Sequence, residues 1–232
     1  MSNETEKENA AAAALDYVED GMTIGLGTGS TAKYFVEFLA EEVADGLVVR
    51  GVPTSEETRK LATSLNVPLV DVDQVERIHL TVDGADEVDP QAQLIKGGGA
   101  ALLREKIIAN ASDLMVVIAD SSKQVETLGQ FPLPVEVTPF AYTITAKKVY
   151  DVLVEAGIKK PLISVRAGSD QRPIVTDGGN YILDCRCELI PDAPLAASLL
   201  ANVPGVVEHG LFTTLCRVAI FGTDTGATIL EY

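Results

Sequence analysis

Short apolar runs that lead into turns, each followed by apolar residues at helical spacing, restrict the folding of this chain more than any other feature. Met22-Thr-Ile-Gly-Leu26 runs into Gly25-Leu-Gly-Thr-Gly-Ser-Thr31, after which Phe35, Val36 and Leu39 recur at helical spacing. Leu47–Val52, Pro68–Asp71, Ile78–Val82 and Leu114–Ala119 read as further strands. Helices are expected over 8–19, from about Thr31, from Ser55 to just before Asn66-Val-Pro68, and over 100–109. Strands that alternate with helices predict a parallel sheet covered by helices, and the unbroken apolar run 114–119 suits a strand buried on both faces.

The grammar changes after Gln130-Phe-Pro-Leu-Pro134. A strand at 135–137, a helix at 142–156, strand material at 161–166, a turn at Thr176-Asp-Gly-Gly-Asn180, a strand at 181–185 and a helix at 192–201 follow. A hairpin beside two helices is α+β in character. We therefore expect two domains, 1–130 plus 206–232 and 131–205, the final strands near 206–209, 215–221 and 227–231 rejoining the first sheet.

Composition narrows the possible partners. With 34 acidic against 18 basic residues the net charge is −16, which argues against nucleic acid and anionic membranes as partners. No apolar run approaches the roughly 18 residues that a membrane span needs, and the polar N-terminus does not resemble a signal peptide, so a cytoplasmic protein is expected. Acid excess combined with 47% hydrophobic residues suggests a heavily solvated surface suited to strong salt, where 1 M screens charge to about 3 Å. The cysteines are Cys185, Cys187 and Cys216; the C-x-C pair supplies only two ligands, so no metal site is expected.

The loop Gly25–Thr31 carries glycines at 25, 27 and 29 with Thr28, Ser30 and Thr31 interleaved. Glycines let backbone N–H groups converge, the following helix N-terminus adds partial positive charge, and hydroxyls add donors, which together suit a phosphate. It is neither a Walker A loop nor a G-x-G-x-x-G fingerprint. Arg50, about twenty residues on, keeps a 2′-phosphate dinucleotide open, and a plain tight turn with no ligand remains the alternative.

Asp83-Gly84-Ala85-Asp86-Glu87 follows a strand, at the carboxyl end where open α/β sheets bind ligands. The Gly-Ala turn lets both aspartates face one crevice, although Asp and Gly also favour ordinary surface turns. Lys96-Gly97-Gly98-Gly99 enters a helix; three consecutive glycines signal close backbone approach to a ligand, and Lys96 can offset paired carboxylates and a developing oxyanion. Glu105 lies among Ala101, Leu102, Ile108 and Ala109 at helical spacing, whereas Arg104 and Lys106 point elsewhere. A carboxylate on an apolar stripe is desolvated and drawn toward the pKa range of a general base. Lys123, after Asp120-Ser-Ser, can reach a phosphate or simply be solvated.

Taken together, these stretches strongly resemble type A ribose-5-phosphate isomerase over nearly the full length. Those that match are Gly25–Ala32, Val82–Glu87, Ile95–Leu102 with Arg104–Ile108, Ser122–Val125, Gly129–Val137, Ile174–Asn180 through Asp184, Pro204–Val207 and Gly210–Phe212. The resemblance implies a Rossmann-like domain plus a smaller ferredoxin-like one. It implies interconversion of ribose 5-phosphate and ribulose 5-phosphate through an enediol, with no cofactor and a homo-oligomer, dimer or tetramer. Carried over position by position, Glu105 is the base; Asp83, Asp86 and Lys96 bind sugar hydroxyls and the enediolate, at the Gly84-Ala85 turn; Gly97, Gly98 and Gly99 offer amide donors. Thr28, Gly29, Ser30, Thr31 and Lys123 hold the phosphate, with Lys7 as a further candidate. Two rival readings share such a fold. A sugar-phosphate sensor needs a DNA-binding helix pair and a basic patch, neither of which is legible. A coenzyme A transferase or amino-sugar phosphate deaminase forms a glutamyl thioester or releases ammonia.

Overall fold

The computed structural model describes residues 3–232. In chain order the elements are α1 (Asn3–Ala14), β1 (Thr23–Leu26), α2 (Ser30–Ala44), β2 (Arg50–Pro53), α3 (Glu56–Ser64), β3 (Ile78–Gly84), β4 (Glu87–Val88) and β5 (Leu94–Ile95). There follow α4 (Leu102–Asn110), β6 (Ser112–Asp120), β7 (Leu133–Val137), α5 (Tyr142–Glu155), β8 (Leu162–Val165) and β9 (Tyr181–Arg186). The chain ends with α6 (Ala193–Ala201), β10 (Val206–His209), β11 (Leu211–Phe212), β12 (Val218–Thr223) and β13 (Gly226–Glu231).

Two compact units result, one of residues 1–85, 104–124 and 215–232, the other of 86–103 and 125–214. The first is a six-stranded sheet in the order β13-β12-β6-β3-β1-β2, parallel except for the edge strand β13. Strands β2-β1-β3-β6-β12 reproduce a doubly wound order whose direction reverses between β1 and β3, so the carboxyl ends of those two strands frame the crevice where such sheets bind ligands. The core contains Ile24, Leu26, Leu80, Val82, Val116 and Ile118 from the strands and Phe35, Val36 and Leu39 from α2. β6 is buried from Met115 to Asp120, as its apolar run predicts.

The second unit contains the four-stranded antiparallel sheet β10-β7-β9-β8 with helices α5 and α6. Its order along the chain, β7-α5-β8-β9-α6-β10, is the split βαβ of ferredoxin-like folds. A small sheet β11-β5-β4 belongs to the same unit.

Several expectations are corrected. β10 pairs with β7 rather than rejoining the large sheet, and only β12 and β13 return to it. Residues 86–103 group with the second unit, because β4 and β5 pair with each other and with β11. Strand β2 starts at Arg50 rather than Leu47, and 68–71 forms only a single bridge, Leu69 to Gly51. Helix α1 begins at Asn3, ahead of the alanine-rich stretch.

Candidate active site

The loop after β1 is built around close backbone approaches. A Cβ at Gly25 would lie 2.1 Å from Thr81 Oγ1 and 2.6 Å from Ile108 Cγ2, so glycine lets α4 close over β1. A Cβ at Gly27 would lie 2.5 Å from both Cα and Cγ of Asp83. Gly29, at φ 113°, caps α2, whose first-turn amides carry the positive end of a 15-residue helix dipole. Gly29 and Ser30 are exposed, whereas Thr28 and Thr31 are buried. Exposed amides at the start of a helix are a suitable place for an anion, which is the role expected of this loop.

Thr28 is tied into the fold of its own loop. Its hydroxyl donates to Ser55 Oγ at 2.8 Å, Ser55 Oγ donates to Thr58 Oγ1 at 3.1 Å, and Thr58 Oγ1 donates to the Gly27 carbonyl at 2.8 Å. Thr54 joins the cluster at 2.8 Å from Thr28 Oγ1 and donates to the Leu26 carbonyl. Ser55, where a helix is expected to open, is the N-cap of α3 and accepts from Thr58 N at 3.0 Å. That the same hydroxyls lock the glycine loop was not legible, because the partners lie about 30 positions apart.

Asp83 is fully buried at the end of β3, where its Oδ1 accepts from Thr28 N at 3.1 Å and from Gly84 N at 2.7 Å. Hydrogen bonds from amides favour the ionised form of a buried carboxylate. Glu105 is 3% exposed on α4. Ile108, one turn further along the same face, packs where Gly25 leaves room on β1, and Ala109 beside it is buried. As the connection between the parallel strands β3 and β6, α4 starts at the carboxyl edge of the sheet, so Glu105 in its first turn belongs to that edge. Arg104 points away and pairs with Glu56 at 3.2 Å, tying α4 to α3. At the end of β6, buried Asp120 caps a short turn, Ser121–Lys123, and accepts from Ser122 N at 3.1 Å; Lys123 is half-buried there. Ser121 donates twice to Glu6 Oε2, each at 2.8 Å, which ties α1 to this turn. Lys7, the next residue, pairs with Glu4 at 3.0 Å.

The second unit carries the other predicted residues. Asp86 N donates to the Ile95 carbonyl, and Asp86 Oδ2 accepts from Gly98 N at 2.8 Å. A Cβ at Gly98 would sit 2.5 Å from Asp86 Oδ1, so a side chain here would push that carboxylate aside. Gly97 has φ 106° and would meet Leu102 at 2.8 Å. Lys96 is 2% exposed, with its ammonium 5.6 Å from the centre of the Phe212 ring. The two aspartates thus each serve their own glycine loop: Asp83 the one at 27–28, Asp86 the one at 97–99. Buried Glu87 accepts from Gly129 N and Phe131 N, with its carboxyl raised above the usual range chiefly by burial. Arg166, held by Asp184, also contacts this glycine loop, and no local sequence pattern singles it out. Among the described residues, no three His, Cys, Asp or Glu side chains group as a metal site, and no helix is long and apolar enough to cross a membrane.

Residues 50–226 match the family model described as ribose 5-phosphate isomerase A (phosphoriboisomerase A). A ribose-5-phosphate isomerase A of Maricaulis maris is 60% identical over 227 residues, 97% of each chain. One of Nitrobacter hamburgensis is 54% identical over 231 residues, covering 100% of this chain and 99% of the relative. Among solved structures, a D-ribose-5-phosphate isomerase in complex with phospho-erythronic acid superposes with TM-score 0.92 at 40% identity over 100% of both chains. Ribose 5-phosphate isomerase A of Methanocaldococcus jannaschii superposes at 0.90, also 40% identical and covering both chains fully.

Proposed function

This chain belongs to the ribose 5-phosphate isomerase A family and interconverts ribose 5-phosphate and ribulose 5-phosphate, and from that premise we propose that Glu105 is the base of the reaction. One observation carries the assignment: Glu105 is a buried carboxylate in the first turn of α4, at the carboxyl edge of the sheet. In the open-chain aldose, Glu105 takes the proton on C2. The electron pair forms the C1–C2 double bond, and the C1 carbonyl becomes an enediolate oxygen that accepts a proton. Return of the Glu105 proton to C1, with loss of the O2 proton, leaves the ketose. The reaction is redox-neutral, so proton movements alone balance it.

In this scheme the amides and hydroxyls of Thr28, Gly29, Ser30 and Thr31, with Lys123, hold the phosphate. Lys7 is the lesser candidate, since its ammonium pairs with Glu4. Asp83, at the Gly84-Ala85 turn, and Asp86 bind sugar hydroxyls and assist ring opening; Lys96 with the amides of Gly97, Gly98 and Gly99 stabilises the enediolate oxygens. Anchoring the phosphate fixes the reacting carbons, an effect worth about 7–11 kcal/mol at most, and general-base transfer adds roughly 10²–10⁴-fold. The phospho-erythronic acid in a related structure fits this arrangement, since a phosphorylated chain ending in a planar carboxylate resembles a phosphorylated enediolate.

The test is Glu105→Gln, assayed for ribulose 5-phosphate formation in the presence of EDTA. We expect kcat to fall by about 10²–10⁴ while substrate still protects the protein against heat. Turnover within a factor of three of the parent would remove Glu105 from this role. Exposed apolar side chains on the second unit, among them Ile144 and Tyr150 around one shallow cavity, support a homodimer or homotetramer, which sedimentation would measure.

A further inference from the structure

Arg166 follows β8, and its guanidinium makes four contacts within the second unit. Nε donates to Asp184 Oδ2 at 2.9 Å, and Nη2 donates to Asp184 Oδ1. Nη1 donates to two carbonyls at once, those of Gly97 and Gly98, each at 2.8 Å. The pair is largely buried, with side-chain exposures of 16% and 22%. Its planar fork, held in one orientation by the carboxylate, leaves the remaining donor aimed at the glycine loop.

Each trans peptide is planar, so its C=O and N–H point in opposite directions. When the Gly97 carbonyl is turned to Arg166, the Gly98 N–H must face the other way, and it does, donating to Asp86 Oδ2 at 2.8 Å. By the same geometry, the Gly98 carbonyl on Arg166 turns the Gly99 N–H away from Arg166. A cation on a peptide carbonyl also polarises that amide and strengthens its N–H as a donor. Glycines otherwise have the widest conformational choice of any residue, and Gly97 at φ 106° occupies a region that fixes little by itself.

We propose that Arg166, held by Asp184, is a positioning residue for the isomerisation: it orients and polarises the amides of Gly98 and Gly99 and, through Gly98, fixes Asp86. This rests on the reading of the 96–99 loop as part of the substrate site. Arg166 acts through the loop and touches no reacting atom in this role. A loop released from it samples peptide flips, and donors misplaced by about 1 Å cost on the order of 100-fold in rate.

The experiment compares Arg166→Lys, the double variant Arg166→Met/Asp184→Asn, which leaves no lone buried charge, and Lys96→Met as a control on the loop itself. Circular dichroism and thermal melts establish folding. Arg166→Lys retains the charge opposite Asp184 but has a point-like head in place of the fork; its kcat should fall at least fivefold. The double variant should lose about 10–100-fold in kcat. Inhibition by inorganic phosphate, a probe of the other glycine loop, should stay within twofold in both, which a general loss of structure would not allow. If kcat of Arg166→Lys and of any folded double variant stays within twofold while Lys96→Met is inactive, the positioning inference is overturned and the loop assignment stands. If Lys96→Met is itself fully active, the assignment of the loop falls, and the inference with it.

Discussion

Gly27→Ala isolates the contact that couples the first glycine loop to Asp83. A Cβ at this position would lie 2.3 Å from Asp83 Oδ1 and 2.5 Å from its Cα and Cγ. One of these atoms is backbone, so no rotamer change relieves the clash. Opening 2.5 Å to the 3.4 Å at which ordinary contact begins needs a shift of about 0.9 Å between two buried strand ends in a close-packed interior. Overpacking of this kind costs about 1–3 kcal/mol, or a fall in Tm of roughly 2–12 °C for a chain of this size. With Asp83 in the proposed substrate-binding role, its movement by about 1 Å should lower kcat/KM by roughly 100-fold. The assay is ribulose 5-phosphate formation alongside differential scanning calorimetry. Gly21→Ala serves as the stability control: φ is +84° but nothing lies within 4 Å, so it pays only backbone strain of about 1 kcal/mol and should leave kcat/KM unchanged. A Gly27→Ala protein with kcat/KM within twofold of the parent would refute the coupling of loop to aspartate.

Thr58→Val removes the hydroxyl that ends the Thr28–Ser55–Thr58 chain on the Gly27 carbonyl. The loss should be about 1–3 kcal/mol in urea unfolding with a raised KM, and Thr58→Ser should restore most of both; a KM unchanged in Thr58→Val would count against loop positioning by this cluster. Burial pushes the thiols of Cys187 and Cys216 up to about 12 and that of Cys185 well above its usual value. The reactive thiolate is therefore scarce at pH 8, and Ellman's reagent should label none of the three in the native protein and all three in urea. Rapid labelling of the folded protein would contradict this burial. With a net charge of −16, the melting temperature should rise between millimolar and molar salt as self-repulsion is screened, and a flat response would dismiss adaptation to salt.

The candidate residues of the parallel-sheet unit stand out in the sequence because their signals are local. A strand that runs into Gly25–Thr31, an aspartate at the end of β3 and a glutamate amid apolar helical positions are patterns a few residues long, set by turn sterics and helical period. The division into a parallel-sheet part and an α+β part was legible for the same reason. Strand partners were not, because pairing depends on contacts between distant segments: β10 has strand-like residues that suit either sheet, and only pairing with β7 decides. The two-residue strands β4, β5 and β11 are too short to show a period at all. Arg166 reaches the carbonyls of residues 69 and 68 positions away, and Thr58 reaches a carbonyl 31 positions away. Backbone conformation and the candidate site side chains are thus written in short stretches of sequence. Which groups orient those side chains was decided by packing, since hydrogen bonds act over about 3 Å in space and take no account of separation along the chain.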